Sequence, residues 1–166
     1  MRKAILSLVI AAALQAGLIV ALPAPARALS GYEPGTIVVK TSERKLYYVL
    51  GNGQTRVYPV AVGRAGKTWT GETTIQGKFI RPAWSPPDEI RRDKPSIPDV
   101  IPGGVPENPM GAAAMTLSGG EYAIHGTNAP GSIGRSVSYG CIRMHNQDIM
   151  DLYQRVNVGT RVIVMQ

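Results

Sequence analysis

The chain is poor in the side chains that most often carry enzyme chemistry, because its 166 residues include one cysteine and two histidines. A single cysteine, Cys141, excludes an internal disulfide and, in an exported protein, indicates a reactive thiol or an intermolecular pairing. The alternative is an inert buried cysteine, but an oxidising compartment exposes a spare thiol to damage. Two histidines and one cysteine without ligand spacing predict no metal site, and we expect no cofactor.

Aromatic side chains are also scarce, and only one of them is a phenylalanine. The basic residues are scattered rather than gathered in a stripe interleaved with aromatics, so the sequence predicts no nucleic-acid partner. The whole chain carries a net charge of +7, and residues 1–28 contain three basic and no acidic residues, which leaves +4 for the remainder. A mild positive charge suits an anionic polymer of the cell envelope.

The N-terminus has the organisation of a secretory signal peptide. Two basic residues, Arg2 and Lys3, precede an apolar run over residues 4–22, and prolines then break any helix. The segment Ala26-Arg27-Ala28 is a small-x-small cleavage site, so we predict a signal peptide over residues 1–28. The alternative is an uncleaved anchor, since the apolar run is nearly long enough to span a bilayer.

The remainder, residues 29–166, has a length that suits one domain. A helix is predicted from a cap at Asn146 to about Val156, because apolar residues recur there with helical spacing. The other elements are predicted strands, which favours a mainly β fold, a sandwich or barrel with one short helix after Cys141. The predicted strands cover residues 35–40, 45–50, 54–62, 71–80, 112–117, 122–124 and 161–165.

A proline-rich segment over residues 81–110 interrupts this pattern. It holds eight of the thirteen prolines, and proline removes the donors that an inner strand needs. Connections of this length are usually functional lids or disordered excursions. Because apolar residues such as Trp84, Ile97 and Ile101 are embedded in the segment, we predict a lid or one wall of a cleft.

The chemistry is predicted to centre on Cys141 and His125, which lies at the end of a predicted strand. A free thiol has a pKa of about 8.5 and is little ionised at neutral pH, so a thiolate nucleophile needs a base such as His125. Gly140 lets the backbone turn sharply beside the sulfur. We predict that the N–H groups of Tyr139, Gly140 and Cys141 form an oxyanion hole.

Groups around this pair have predicted supporting roles. No acidic residue lies between positions 125 and 144, so a backbone carbonyl, that of Gly126, is predicted to orient the imidazole. Arg143 shares a strand face with the nucleophile, where a guanidinium could clamp a substrate carboxylate; the alternative is a solvated surface arginine. His145 is the rival base, with a surface or capping role as its alternative.

These segments resemble the signature of the bacterial L,D-transpeptidase catalytic domain. That signature is a histidine, a gap of a dozen or more residues, and then Ser/Thr-x-Gly-Cys-x-Arg. The chain has His125-Gly126-Thr127-Asn128 followed by Ser138-Tyr139-Gly140-Cys141-Ile142-Arg143. The likeness covers most of residues 35–165 and extends to Leu46-Tyr47, Tyr58-Pro59-Val60, Val62-Gly63, Thr70-Gly71 and Asn108-Pro109-Met110-Gly111.

The resemblance implies roles for individual residues. Cys141 matches the nucleophile, His125 matches the base, and the Gly126 carbonyl matches its orienter. Many members have histidine where this chain has Tyr139, which excludes a role for a second histidine there. The motif's oxyanion turn corresponds to Ser138, Tyr139 and Gly140. Substrate binding is expected at Arg143, Ser138, Asn128 and Tyr122.

The implied enzyme acts on peptidoglycan stem peptides in the periplasm. Cys141 would attack the third residue of a tetrapeptide stem and release the terminal D-alanine. An amine of another stem would then give a 3–3 cross-link, a lipoprotein lysine would anchor that protein to the wall, and water would make the enzyme an L,D-carboxypeptidase. Family members are also acylated by carbapenems. The alternatives are a cysteine hydrolase on the same stems and an inactive wall-binding module.

Overall fold

The computed structural model describes residues 29, 31–120 and 122–166, and these form nine strands and two α-helices. The predicted signal peptide, residues 1–28, lies outside the described residues. None of the helices in the described part is long and apolar enough to cross a membrane.

The elements follow one another closely along the chain. The strands are β1 (Ile37–Lys40), β2 (Lys45–Gly51), β3 (Gln54–Gly63), β4 (Gly71–Ile80), β5 (Ala113–Leu117), β6 (Ala123–His125), β7 (Ser136–Ser138), β8 (Ile142–Met144) and β9 (Arg161–Met165). The helices are α1 (Asp88–Asp93) and α2 (Asn146–Arg155), with a single 3₁₀ turn at Pro130–Ser132.

All nine strands belong to one sheet, in the order β2-β1-β9-β4-β5-β6-β8-β3-β7. The sheet closes because β2 also pairs with β3, through a hairpin whose turn residues Gly51, Asn52 and Gly53 all have positive φ. Turns of this kind match the twist of the flanking strands. The predicted mainly β, barrel-like fold is confirmed.

Strand alternation fills the interior of this sheet. Tyr58, Val60 and Val62 on β3 are buried in the main hydrophobic cluster, whereas Val57 before them and Pro59 between the first two are exposed. Side chains at alternate positions of a strand point to opposite faces, so one face supplies the core. The α2 helix adds Ile149 and Leu152 to the same cluster, and Val156, directly after the helix, adds a third residue of the predicted apolar stripe.

The proline-rich segment is held together by its own hydrogen bonds. The backbones of Trp84 and Ile101 bond to each other in both directions, at 2.9 and 2.8 Å. Asn108, which is 2% exposed, donates from Nδ2 to the carbonyl of Pro82 at 2.9 Å. The segment also contains α1, which the sequence analysis did not predict because the surrounding prolines masked a six-residue helix.

Two further predictions needed correction. The predicted strands leave out residues 126–137, but these contain the 3₁₀ turn and the start of β7, which pairs with β3. Asn146 was predicted to cap α2, but the cap residue is His145 and Asn146 is the first helical residue. The Asn146 side chain makes tertiary hydrogen bonds instead, and these hold the loop after His125.

Candidate active site

The strands β6 and β8 lie side by side and position the predicted nucleophile and base. They are parallel, with Ile124 opposite Ile142 and His125 opposite Arg143. Ile124 and Ile142 are buried in the core, so by alternation His125 and Arg143 project from the other face. Cys141, which directly precedes β8, lies on that same face.

These side chains open into a cleft of about 700 Å³ between the sheet and the proline-rich segment. The structure brings Cys141, His125 and Arg143 together in its lining. Tyr122, Asn128, Ser138 and Tyr139 also border it, and from the proline-rich segment so do Trp84, Ile90, Lys94, Ile97 and Glu107. His145, the rival base, is not among the described residues that line this cleft.

The protonation states of Cys141 and His125 are set mainly by burial. Burial raises the pKa of the Cys141 thiol, although a backbone hydrogen bond from Ala123 and the charge of Arg143 oppose the shift. Burial, assisted by the charge of Arg143, lowers the pKa of His125 to about 4. At neutral pH the pair therefore rests as a neutral thiol and a neutral imidazole, which suits transfer of the thiol proton during attack.

The imidazole of His125 is oriented by its surroundings rather than by an acidic residue. Its Nδ1 is buried and makes no well-aligned hydrogen bond to any described residue. The backbone carbonyls of Gly126 and Pro109 nevertheless interact with the ring and raise its pKa against the larger effect of burial. Gly126 was predicted from the sequence for this position, whereas Pro109, sixteen positions earlier in the chain, was not.

Asn146 supports the backbone that follows His125. Its Oδ1 accepts hydrogen bonds from the N–H groups of Ala112 and Thr127, both at 3.0 Å, and its Nδ2 donates to the Thr127 carbonyl at 3.0 Å. A Cβ at Gly126 would lie 2.3 Å from this Oδ1, so the close approach requires glycine. Asn146 therefore joins the start of α2 to the loop that carries the base.

Ser138 shapes the turn that precedes Cys141. Its side chain is fully buried, and its hydroxyl donates to the Cys141 carbonyl at 2.6 Å and accepts from the Gly140 N–H at 3.1 Å. The Gly140 N–H, which was predicted as an oxyanion donor, is therefore already engaged by Ser138. The Ser138 hydroxyl supports the turn, and its predicted contact with substrate stays a prediction. The N–H groups of Tyr139 and Cys141 make no hydrogen bond to a described residue.

Gly140 is enclosed by two aromatic side chains. Its φ is +120°, and a Cβ there would lie 2.3 Å from Cε1 of Tyr122. Trp69, in the loop between β3 and β4, stacks on Tyr122 with ring centroids 5.0 Å apart and donates from Nε1 to the Gly140 carbonyl at 3.0 Å. The sequence analysis missed Trp69, because 71 positions separate it from Gly140 and no local pattern joins them.

Tyr139 faces the proline-rich segment. Its hydroxyl donates a hydrogen bond to Asp93 at the end of α1, and the Arg64 guanidinium lies 4.1 Å from its ring centroid. Arg64 also pairs with Asp93 at 3.2 Å. The side chain at this position therefore links the nucleophile turn to the cleft wall. Asn128 likewise contacts the segment, by donating from Nδ2 to the Glu107 carbonyl at 3.0 Å.

Arg143 is a cation of the cleft that has no partner among the described residues. Its Nε is buried without a hydrogen-bond partner, and burial lowers the pKa of its guanidinium. None of the ion pairs found in the described residues includes Arg143. A partly buried charge is costly to leave without a compensating anion, so a carboxylate would be a suitable ligand for this side chain. The described residues contain no group of three side chains suited to holding a metal ion.

Comparisons with known proteins show which family this chain resembles. The family model of the L,D-transpeptidase catalytic domain (YkuD) matches residues 34–164. The probable L,D-transpeptidase ErfK/SrfK of Escherichia coli is 43% identical over 78% of this chain and 43% of its own length, so the chain spans less than half of that relative. The putative L,D-transpeptidase YqjB of Bacillus subtilis is 36% identical over 77% of the chain and 69% of its own length.

A solved structure shares the fold. The crystal structure of L,D-transpeptidase 3 from Mycobacterium tuberculosis in complex with a faropenem-derived adduct superposes with a TM-score of 0.61. The two proteins are 19% identical, and the match covers 79% of this chain and 60% of the other.

Proposed function

The chain belongs to the L,D-transpeptidase catalytic-domain family, and we propose that it is a peptidoglycan L,D-transpeptidase with Cys141 as nucleophile and His125 as base. The main support is the convergence of the only cysteine, a buried neutral histidine and an unpaired arginine on one face of β6 and β8. A nucleophile, a base and a cation for a substrate carboxylate are the parts that acyl transfer between stem peptides requires.

In the first half of the reaction, His125 takes the Sγ proton as sulfur attacks the carbonyl of the third stem residue. Its Nε2 receives the proton, because Nδ1 is enclosed by the protein. The oxyanion that forms is stabilised by the N–H groups of Cys141 and Tyr139, which are free to donate. The carbon–nitrogen bond to the terminal D-alanine then breaks, its nitrogen takes the proton from His125, and a thioester remains on Cys141.

In the second half, an acceptor amine attacks the thioester. His125 removes a proton from the amine, the carbon–sulfur bond breaks, and the proton returns to Cys141. Arg143 is suited to hold a carboxylate of the donor stem during both halves, because a guanidinium binds carboxylates through paired hydrogen bonds. The product is a 3–3 cross-link when the amine belongs to another stem.

The location follows from the N-terminal sequence and the substrate. Residues 1–28 are proposed to direct export, after which the domain acts on the wall in the periplasm. The net charge of +4 outside that segment favours an anionic envelope polymer as partner.

The nucleophile and base can be tested with a carbapenem and mass spectrometry. We expect the protein to gain the mass of the drug, and Cys141→Ala to gain none. His125→Ala should slow adduct formation by about 10²- to 10⁴-fold, the usual contribution of a general base, while the matched variant His145→Ala keeps the wild-type rate. Absence of an adduct in the wild type would contradict the assignment, and loss of acylation in His145→Ala alone would reverse the choice of base.

The acceptor is tested with purified muropeptides. Incubation with tetrapeptide stems should release D-alanine and yield 3–3 dimers. A product that consists of tripeptides alone would indicate water as the acceptor, and therefore an L,D-carboxypeptidase. Transfer that appears only when a lysine-terminated lipoprotein peptide is added would indicate anchoring to the wall.

A further inference from the structure

We propose that Trp69 is a positioning residue that aims the N–H of Cys141 at the oxyanion formed during acyl transfer. It would act through the Gly140 carbonyl, to which its indole Nε1 donates at 3.0 Å. The proposal rests on the function proposed above, because an oxyanion donor matters only if the protein catalyses acyl transfer. It adds a residue that lies on neither strand of the site and does not bind the reacting atoms.

A single peptide group connects the Trp69 hydrogen bond to the Cys141 N–H. The Gly140 carbonyl and the Cys141 N–H belong to the same peptide unit, which is planar and trans, so the two bonds point in opposite directions. A hydrogen bond that fixes the direction of the carbonyl therefore fixes the direction of the N–H. Trp69 holds the oxygen on one side of the turn, which directs the Cys141 N–H to the other.

This peptide group depends on external support more than its neighbours. Gly140 has a φ of +120° and no Cβ, so its backbone has more freedom than any other residue would allow. Ser138 restrains the Gly140 N–H and the Cys141 carbonyl, which belong to the preceding and following peptide groups. The peptide between them is restrained by Trp69. If it rotated, its carbonyl oxygen would replace the N–H and would repel a developing negative charge.

The indole itself is held rigidly. Its ring lies nearly parallel to that of Tyr122, with an interplanar angle of 6°, and Tyr122 in turn packs against Gly140. An indole nitrogen is a donor only, so it cannot accept from the N–H of a rotated peptide and selects the carbonyl. Trp69 therefore combines a fixed position with a fixed hydrogen-bond polarity.

The proposal is tested by Trp69→Phe, which keeps an aromatic ring over Tyr122 and removes the donor. Two reactions of Cys141 are measured at the same pH: acylation by a carbapenem, which builds an oxyanion, and alkylation by iodoacetamide, which does not. Removing an oxyanion donor outright slows catalysis by about 10²- to 10³-fold, so misdirecting one should slow acylation by about 10- to 100-fold. Alkylation should keep the wild-type rate.

Tyr48→Phe is the matched control. It removes a hydrogen bond of similar length from a side chain to a carbonyl, the 3.1 Å bond from Tyr48 to Arg155, away from the cleft. The rates of acylation and of alkylation of Tyr48→Phe should both match those of the wild type. If Trp69→Phe does not fold, benzothienylalanine at position 69 replaces the indole N–H by sulfur and keeps the shape of the ring system.

Each outcome decides the proposal. Slower acylation with unchanged alkylation supports it. Equal loss of both reactions would show that Trp69 only maintains the turn, and unchanged acylation would show that the hydrogen bond does not matter; either result overturns the proposal. A wild-type protein that is alkylated but never acylated would instead overturn the proposed function, and this inference with it.

Discussion

The hydroxyl of Tyr139, two residues before the nucleophile, donates a hydrogen bond to the carboxylate of Asp93 at the end of α1. Arg64 pairs with the same carboxylate and lies over the tyrosine ring, so three side chains join the nucleophile turn to the cleft wall. The pKa of Asp93 is lowered, first by the Tyr139 hydrogen bond and then by Arg64. The contact is therefore complete at neutral pH and is lost as the pH falls through that lowered pKa.

Loss of this hydroxyl should loosen the cleft wall. Tyr139→Phe keeps the ring under Arg64 but removes the bond to Asp93, so we expect faster amide hydrogen exchange over residues 88–93 and a higher KM for donor stems. The rate of Cys141 alkylation should stay near the wild-type value, because the thiol environment is unchanged. Exchange in residues 88–93 equal to that of the wild type would contradict a role for Tyr139 in holding α1.

Removal of the Arg143 charge should make Cys141 less reactive. The charge lowers the pKa of the thiol, so Arg143→Gln raises that pKa and reduces the thiolate fraction at any neutral pH. The pH profile of alkylation should move to higher pH, while Arg143→Lys, which keeps a positive charge, should stay closer to the wild type. An identical profile in Arg143→Gln would show that the guanidinium does not act on the sulfur.

Acid should destabilise the protein through His125. The pKa of His125 is about 4 in the folded state, whereas a histidine in the unfolded chain has the ordinary value of 6.5. As the pH falls, the unfolded chain therefore binds a proton before the folded protein does. The free energy of unfolding should therefore drop between pH 6.5 and 4, by roughly 3 kcal/mol at 1.36 kcal/mol per pKa unit. Asp151, with its pKa lowered to about 2 chiefly by Arg155, adds a loss that lies mainly below pH 4.

Urea unfolding at several pH values measures this effect. His125→Asn should lose most of the dependence between pH 6.5 and 4, and the matched variant His145→Asn should retain it because His125 is still present. A His125→Asn protein with the wild-type slope would show that other groups account for the acid sensitivity.

Truncation of Ser138 should weaken both the fold and the site. Ser138→Ala leaves the buried Gly140 N–H and the Cys141 carbonyl without their hydrogen-bond partner. Each unsatisfied group should lower the free energy of unfolding by about 1–3 kcal/mol. Ser136→Ala is the control, because Ser136 lies two residues earlier and is exposed. Its free energy of unfolding should lie within about 0.5 kcal/mol of the wild-type value. If Ser138→Ala were acylated faster than the wild type, the released Gly140 N–H would itself be an oxyanion donor.

Local sequence was sufficient for the framework of the site. The hairpin at residues 51–53, the alternation along β3 and the apolar stripe of α2 are all short-range patterns, and the structure follows them. Cys141 and His125 were predicted as a pair from their residue types and from the position of His125 at the end of a predicted strand. The sequence analysis also expected Arg143 on the face of Cys141, and both line the cleft.

Long-range contacts account for what was missed. Trp69 reaches Gly140 across 71 positions, and Tyr139 reaches Asp93 across 46, so no window of sequence contains either pair. Asn146 has the residue type of a helix cap, and its use in fixing the His125 loop depends on how α2 packs against β5 and β6. The Gly140 N–H was predicted to bind the oxyanion. Its hydrogen bond to Ser138 depends on the rotamer of the serine side chain, which the sequence does not reveal.

The position of β9 has a consequence for the proposed export. This strand is the last in chain order, yet it lies between β1 and β4 and pairs with both. Until Arg161–Met165 has emerged, the barrel has two unsatisfied edges, and contacts between distant parts of a chain form late in folding. Under the export proposed above, the chain would therefore cross the membrane unfolded. The cleft that holds Cys141 and His125 would form only after the segment that becomes β9 had arrived.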